Sequence, residues 1–255
     1  MSYFIKFLSL TLCLFIILTS CEDTKKHEQN TSIDALDKTK SLASEILNNE
    51  KIADSLTVVN ADKISETLEE FPPITKDNVV EFLTEYGKNN PEKNVRFNTS
   101  LGTIEVTLYD DTPLHRANFI YLVKQKYFNT TFFHRVVPNF IIQAGTSDNR
   151  DTQIDRARIG KNYRIPNEIK KGRIHKKGTL SGAKYYRDND DNMTEPFEFF
   201  IFLGPQKSTR HLNGNYTIFG EVTKGMDIVE KIANVEHDDQ DWPLINVTLT
   251  ADIIK

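Results

Sequence analysis

The sequence has few cysteines and no excess of positive charge. Its two cysteines, Cys13 and Cys21, lie close to the start, so disulfides cannot staple the rest of the chain. The net charge of −4 argues against a nucleic-acid partner, because a phosphate-binding surface normally leaves a basic excess. Nucleophile-elbow, Walker and zinc-protease motifs are absent, and the six histidines show no metal-ligand spacing. The sequence therefore gives no motif-level indication of the common hydrolase, nucleotidase or zinc-enzyme classes.

Long apolar runs are also scarce. The run Phe7–Leu18 is too short for a membrane-spanning helix, which takes roughly 20 residues, but it has the length of a signal-peptide core. It leads into Leu18-Thr19-Ser20-Cys21, which resembles a bacterial lipobox. We therefore expect residues 1–20 to be a lipoprotein signal peptide and Cys21 to carry a lipid anchor in the bacterial cell envelope, on the periplasmic or cell-surface face. The alternative is a plain signal peptide or an uncleaved anchor.

Glycine and proline are missing from residues 22–70, which are polar and rich in charge. We interpret 21–70 as a partly helical tether, because apolar positions are too sparse for the heptads of a dimerising helix, the alternative reading. Residues 71–93 predict one short amphipathic helix, capped by Thr75 and stopped at Gly87. Its apolar stripe comprises Val79, Phe82, Leu83 and Tyr86.

Short alternating apolar segments dominate residues 94–255 and predict strands. Two helices interrupt them: one begins at Thr112-Pro113, with proline in its first turn, and one covers 226–232. Residues 245–253 alternate cleanly and predict the closing strand. Many short strands without a strand–helix–strand rhythm predict a mainly β fold, an antiparallel barrel or sandwich capped by two helices.

An acidic segment begins like a calcium-binding loop, with Asp188, Asp190 and Asn192. However, Met193 stands where such a loop needs glycine, and Phe199 stands where it needs a bidentate carboxylate. We interpret this segment as a solvated acidic loop, and we expect neither a metal nor another cofactor.

One segment is specific. Residues 132–143, FFHRVVPNFIIQ, resemble the signature of the cyclophilins, and further family-like segments occur in the family's order. These are Leu101–Ile104, Asn118-Phe119, Gly178–Ser181, Phe199–Ile201, Leu212–Gly214 and Phe219–Val222. The resemblance covers residues 94–255. It implies a closed antiparallel eight-stranded β-barrel capped by two α-helices, here preceded by a helical N-terminal extension.

The resemblance also implies peptidyl-prolyl cis-trans isomerase activity. An X-Pro amide rotates slowly because its C–N bond has partial double-bond character, with a barrier of about 18–20 kcal/mol. No covalent bond changes, so a site needs only an apolar pocket and a donor that favours the twisted amide. In cyclophilins an arginine supplies that donor, and the matching catalytic positions here are Arg135, Phe140 and Gln143. The implied substrate-binding positions are Ile141, Ala183, Lys184, Glu198, Phe200, His211, Leu212 and Tyr216.

Some positions depart from the family. Glu198 replaces a substrate-contacting glutamine, and since a carboxylate accepts without donating, an ion pair with Arg135 is the alternative at this position. Ala183-Lys184-Tyr185 replaces an Ala-Asn-Ala loop, and the segment 183–198 is longer than usual. His211 stands for a tryptophan that varies among members, and Tyr216 stands for a histidine. These changes bear on substrate preference.

The expected partners are proline-containing polypeptides in the cell envelope, bound by a monomeric, membrane-anchored isomerase. The rival function is a proline-peptide-binding scaffold that has lost turnover through Glu198. A third reading, a purely structural lipoprotein, predicts neither binding nor catalysis.

Overall fold

The computed structural model describes residues 70–185 and 191–255, which all belong to the second of two units in the chain, Thr67–Lys255. The predicted signal peptide, Cys21 and nearly all of the predicted tether lie outside the described residues. So do Asp188 and Asp190 of the acidic loop.

Eight antiparallel strands close into a barrel, in the order β1-β2-β7-β5-β6-β4-β3-β8. The strands are β1 Asn94–Thr99, β2 Gly102–Leu108, β3 Phe132–Val137, β4 Ile141–Thr146, β5 Thr179–Gly182, β6 Phe199–Phe202, β7 Ile218–Lys224 and β8 Val247–Ile253. The α-helices are α1 Val79–Asn89, α2 Pro113–Lys124, α3 Arg150–Ile159 and α4 Met226–Ala233, and Tyr127–Thr130 and Gln206–Thr209 form short 3-10 helices. The predicted eight-stranded barrel is confirmed.

Strand alternation closes the barrel around an aromatic core. Residues of β1 and β8 alternate between buried and exposed, and the two strands pair with each other, so the barrel closes without a free edge there. Inside, Phe97 stacks on Phe199 at a ring separation of 5.3 Å, and Phe119 meets Phe199 edge-on at 5.4 Å. Because side chains fill the interior, a binding site has to form on the outside of the barrel.

The first two helices pack on each other. Helix α2 begins at Pro113, as predicted. Helix α1 continues to Asn89, so the prediction that Gly87 stops it was wrong. A Cβ atom at Gly87 would lie 3.0 Å from the Cβ of Ala117, so glycine here serves the close approach of α1 to α2.

Helix α3 is an element that the sequence pattern did not predict. Its residues, RDTQIDRARI, carry no apolar stripe, which is why the hydrophobic period did not reveal it. The side chain of Asn149 caps it by accepting a hydrogen bond from the Asp151 N–H at 3.1 Å. At its other end Ile159 is buried, and the Ile159 carbonyl accepts from the Ile74 N–H at 2.7 Å. Helix α3 is thus held at both ends.

Within residues 70–185 and 191–255, none of the helices combines the length and the apolar character needed to cross a membrane.

Candidate active site

A second apolar cluster lies apart from the barrel core and forms the base of an open groove. Its buried members are Ile141, Phe200, Phe202, Leu212 and Tyr216, with Val137 and Phe140 packed against them. The groove has a volume of about 370 Å³. Its lining consists of Arg135, Phe140, Ile141, Gln143, Ala183, Lys184, Phe200, His211, Leu212 and Tyr216. The structure therefore brings all the predicted site residues of the described chain to one groove, except Glu198.

Strand register explains why the central residues meet. Arg135 on β3 is directly opposite Gln143 on β4, and Gln143 is opposite Phe200 on β6. Neighbouring residues in a strand face opposite sides of the sheet, so Phe199 enters the barrel core while Phe200 faces the groove. Three neighbouring strands thus place a guanidinium, a carboxamide and an aromatic ring in one row.

Arg135 is held by Asp241, a residue that the sequence analysis did not identify. The Arg135 Nε and Nη2 atoms each lie 3.1 Å from Asp241 Oδ2, and the two side chains are 40% and 33% exposed. Asp241 has a left-handed backbone with φ of 66°, and its carbonyl accepts from the Val136 N–H at 2.8 Å. The acidic run around residue 239 indicated a candidate partner for a basic residue, but no local sequence pattern identified Arg135 as that residue. The alternative of an ion pair between Glu198 and Arg135 was wrong.

Glu198 lies beside the groove, in a cluster of charged groups. Its Oε2 accepts a hydrogen bond from Gln143 Nε2 at 2.9 Å, and its Oε1 accepts one from Arg156 Nη2 at 3.3 Å. His134 Nε2 lies 3.6 Å from Oε2, but burial lowers the pKa of that imidazole. The charge of Glu198 is therefore met by Arg156, on the unpredicted helix α3.

Glu195 belongs to the same cluster. Burial, and then the nearby charge of Glu198, raises the pKa of the Glu195 carboxyl to about 7, although Arg156 and Arg164 oppose the shift. Burial also raises the pKa of the Tyr127 hydroxyl, which donates to the Gly145 carbonyl at 2.7 Å. The single cation Arg156 thus interacts with the carboxyl groups of both Glu195 and Glu198.

His175 supports the base of the groove and was also missed from sequence. Its ring lies parallel to Phe200 at a separation of 5.8 Å, and burial lowers its pKa. Nδ1 lies 2.8 Å from Asn213 Oδ1 and Nε2 lies 3.0 Å from Ser181 Oγ. Because an amide oxygen only accepts, Nδ1 carries the proton and Nε2 accepts from Ser181. A neutral histidine thus locks Phe200 to the loop that carries Leu212.

Lys184 and His211 form the two rims of the groove. Lys184 Nζ sits 4.9 Å from the Tyr216 ring centre and donates to Asn192 Oδ1, while burial lowers its pKa. The His211 ring centre lies 5.7 Å from that of Phe140. Between them, Tyr216 packs edge-on against Phe200 at 5.5 Å. The rims are thus polar and the base is apolar, as in most ligand sites.

The family model for cyclophilin-type peptidyl-prolyl cis-trans isomerases matches residues 94–251. The chain belongs to the cyclophilin family. This cyclophilin is 38% identical over 144 residues to a peptidyl-prolyl cis-trans isomerase of Acinetobacter baylyi, covering 55% of this chain and 72% of the relative. It is 35% identical over 157 residues to peptidyl-prolyl cis-trans isomerase-like 1 of Emericella nidulans, covering 61% of this chain and 90% of the relative.

Solved structures agree with this assignment. A cyclophilin-type isomerase of Cryptosporidium parvum is 25% identical, with a TM-score of 0.54 over 64% of this chain and 98% of that one. A second crystal structure of that protein was obtained in the presence of the dipeptide Ala-Pro, and it matches with a TM-score of 0.53. The activity of this cyclophilin is peptidyl-prolyl cis-trans isomerisation.

Proposed function

We propose that this cyclophilin accelerates the isomerisation of X-Pro bonds in exported proteins from a lipid anchor in the bacterial cell envelope. The observation that carries the enzymatic part is the position of Arg135, a cation held by Asp241 beside an open groove with an apolar base. Arg135, Phe140 and Gln143 are the residues to which we assign the chemistry.

The proline ring of the substrate would enter the hollow above Phe200, between Phe140 and Leu212. When the amide twists, the prolyl nitrogen loses conjugation and becomes a better hydrogen-bond acceptor. The guanidinium of Arg135 then donates to that nitrogen more strongly than to the planar ground state, which is what lowers a barrier. Asp241 occupies one edge of the guanidinium and leaves Nη1 for the substrate.

Gln143 and the loop that contains Ala183 would hold the backbone on either side of the proline. The Ala183 N–H donates to the Glu198 carbonyl at 3.1 Å, which fixes this loop to the residue that precedes β6. The Ala-Pro dipeptide used with the Cryptosporidium relative supports a proline-containing ligand for this groove.

The test is a protease-coupled isomerisation assay on a short X-Pro peptide. Arg135→Ala should lower kcat/KM by about a hundredfold, the usual loss for one transition-state donor. Arg96→Ala is the matched control. Arg96 is an exposed arginine on β1 that pairs with Glu105 on β2 and does not line the groove. A wild-type chain that does not accelerate isomerisation would contradict the proposal.

A second candidate is a proline-peptide-binding scaffold, and the observation that favours it is the engagement of Arg135 by Asp241. If that ion pair sequesters the guanidinium, the groove binds peptides without turning them over. Calorimetry with a proline peptide, run beside the coupled assay, separates the two: binding without acceleration identifies the scaffold.

The envelope location is a proposal from sequence. It is supported by the apolar run Phe7–Leu18 and by the lipobox-like Leu18–Cys21. Expression in a bacterium with radiolabelled palmitate should label the wild-type chain in the membrane fraction. Cys21→Ser should abolish the label, whereas Cys13→Ser should not. Equal labelling of the wild type, Cys21→Ser and Cys13→Ser would contradict the proposal that Cys21 carries the lipid anchor.

A further inference from the structure

A cluster of charged groups lies beside the groove and takes no direct part in the chemistry assigned to Arg135, Phe140 and Gln143. We call Arg156, Glu198, Glu195, Tyr127 and His134 the Glu198 cluster. Arg156 and Glu198 form its central ion pair, and both side chains are only 15% exposed. Desolvating an ion pair costs free energy, so stability alone does not account for this largely shielded pair.

The Glu198 cluster touches the groove through Gln143. Gln143 Nε2 donates to Glu198 Oε2 at 2.9 Å. A carboxylate offers only acceptors, so the amide nitrogen has to face Glu198 and the amide oxygen has to point away from it. A glutamine at position 198 carries both an oxygen and an NH2 group, so by itself it would not force the Gln143 amide into this orientation. Glu198 therefore makes Gln143 present an acceptor to the groove, where it could receive a hydrogen bond from a substrate backbone N–H.

Glu198 depends on Arg156 to stay in this position. His134 is the other basic group near the carboxylate, but its pKa is lowered by burial, and Glu195 adds a like charge. The Arg156 guanidinium is itself fixed: Nε donates to the Tyr127 hydroxyl at 2.9 Å, and Nη2 donates to the Gly145 carbonyl at 3.1 Å. It also lies over the Phe197 ring at 5.1 Å. Arg156 is thus a rigid cation aimed at one carboxylate oxygen.

We propose that Arg156 is a positioning residue for substrate binding: through Glu198 it fixes the Gln143 carboxamide with its oxygen toward the peptide. Helix α3 supplies the rigid support for this arginine. The inference rests on the proposed use of the groove and adds a specificity to it, namely that Gln143 accepts from a substrate N–H and does not donate to a carbonyl.

The test is a double-variant cycle in the isomerisation assay, with KM and kcat measured separately. Arg156→Met should lower kcat/KM about fivefold to tenfold, mainly through KM, because one oriented hydrogen bond to the peptide is lost. In a Gln143→Ala background the same change should have almost no further effect. Arg158→Met is the matched control, since Arg158 lies on the same helix but pairs with Gln125 and Asp155. Equal losses in both backgrounds would show that Arg156 acts only on structure.

A second measurement covers the case that Arg156→Met does not fold. Glu198→Gln keeps the side-chain volume. Because Arg156 donates, the new amide would place its oxygen toward Arg156 and its nitrogen toward Gln143. The Gln143 amide would then have to turn its own oxygen toward residue 198. The Gln143 side-chain amide resonances, assigned by their loss in Gln143→Ala, should shift strongly in Glu198→Gln and stay in place in Arg158→Met. Unmoved resonances in Glu198→Gln would overturn the proposal. An inactive wild type would instead refute the isomerase function and leave this resonance test standing.

Discussion

Replacement of Glu195 by glutamine should remove a pH-dependent penalty from the folded state. The pKa of the Glu195 carboxyl rises from 4.5 to about 7 in the fold, with burial as the main cause. Between these two values the unfolded chain releases this proton while the folded chain retains it. The free energy of unfolding therefore falls as pH rises across the window, and the loss is complete above pH 7.

The size of the penalty follows from the two pKa values. One pKa unit corresponds to about 1.4 kcal/mol, so this carboxyl costs the native state about 3 kcal/mol at pH 8 and nothing at pH 4. Glu195→Gln carries no ionisable group there. It should match the wild type near pH 4 and exceed its stability by about 2–3 kcal/mol at pH 8, the lower figure allowing for partial solvent access.

Urea unfolding followed through Trp242, the single tryptophan, measures this difference. Contributions from titrating groups that do not interact with Glu195 are common to both chains and cancel in the comparison. Glu236→Gln, the same substitution at an exposed position, serves as the control. If Glu195→Gln and the wild type differ by the same amount at pH 4 and pH 8, the assigned burial of Glu195 is wrong.

Further variants test the rest of the site. Gly145→Ala should lower the melting temperature sharply or prevent folding, because φ is 108° and a Cβ would lie 2.0 Å from the Phe197 carbonyl oxygen. His175→Ala should weaken proline-peptide binding about tenfold by calorimetry, since Phe200 loses its stacked partner and Asn213 loses a donor; unchanged affinity would remove His175 from the support of the groove. Asp241→Asn, which tolerates the left-handed backbone at φ 66°, should lower kcat/KM several-fold while changing stability by only about 0.5 kcal/mol, as expected for a partly exposed ion pair; increased activity would instead show that Asp241 sequesters the arginine.

Local alternation predicted the strands but left a barrel and a sandwich open, and the closed eight-stranded barrel followed from the resemblance to the cyclophilins. Alternation in segments such as 245–253 reports which residues enter the core, and the 132–143 motif sets Arg135 and Gln143 eight positions apart, on two strands that pair. The rest of the groove lining was implied by the same family resemblance, at Ala183, Lys184, Phe200, His211, Leu212 and Tyr216. These inferences needed no knowledge of loop paths.

The partners of those residues were not predictable in the same way. Asp241 meets Arg135 across 106 positions of sequence, and Arg156 meets Glu198 across 42. Both contacts depend on how a loop or a polar helix returns to the barrel, and neither has an apolar period to reveal it. The hydrophobic pattern of a sequence indicates which residues are buried. Which charged residues pair with each other depends on the tertiary fold, which that pattern does not contain.

The pairing of β1 with β8 has a consequence for how the domain is made. Val95 is paired with Ile253 and Thr99 with Leu249. The hydrogen bonds on this edge of β1, the first strand, therefore form only once β8, the last strand, is present. Contacts between such distant positions are slow to form. A chain that lacks its final strand keeps two unsatisfied edges, at β1 and at β3, so the barrel can close only after the whole domain has been synthesised.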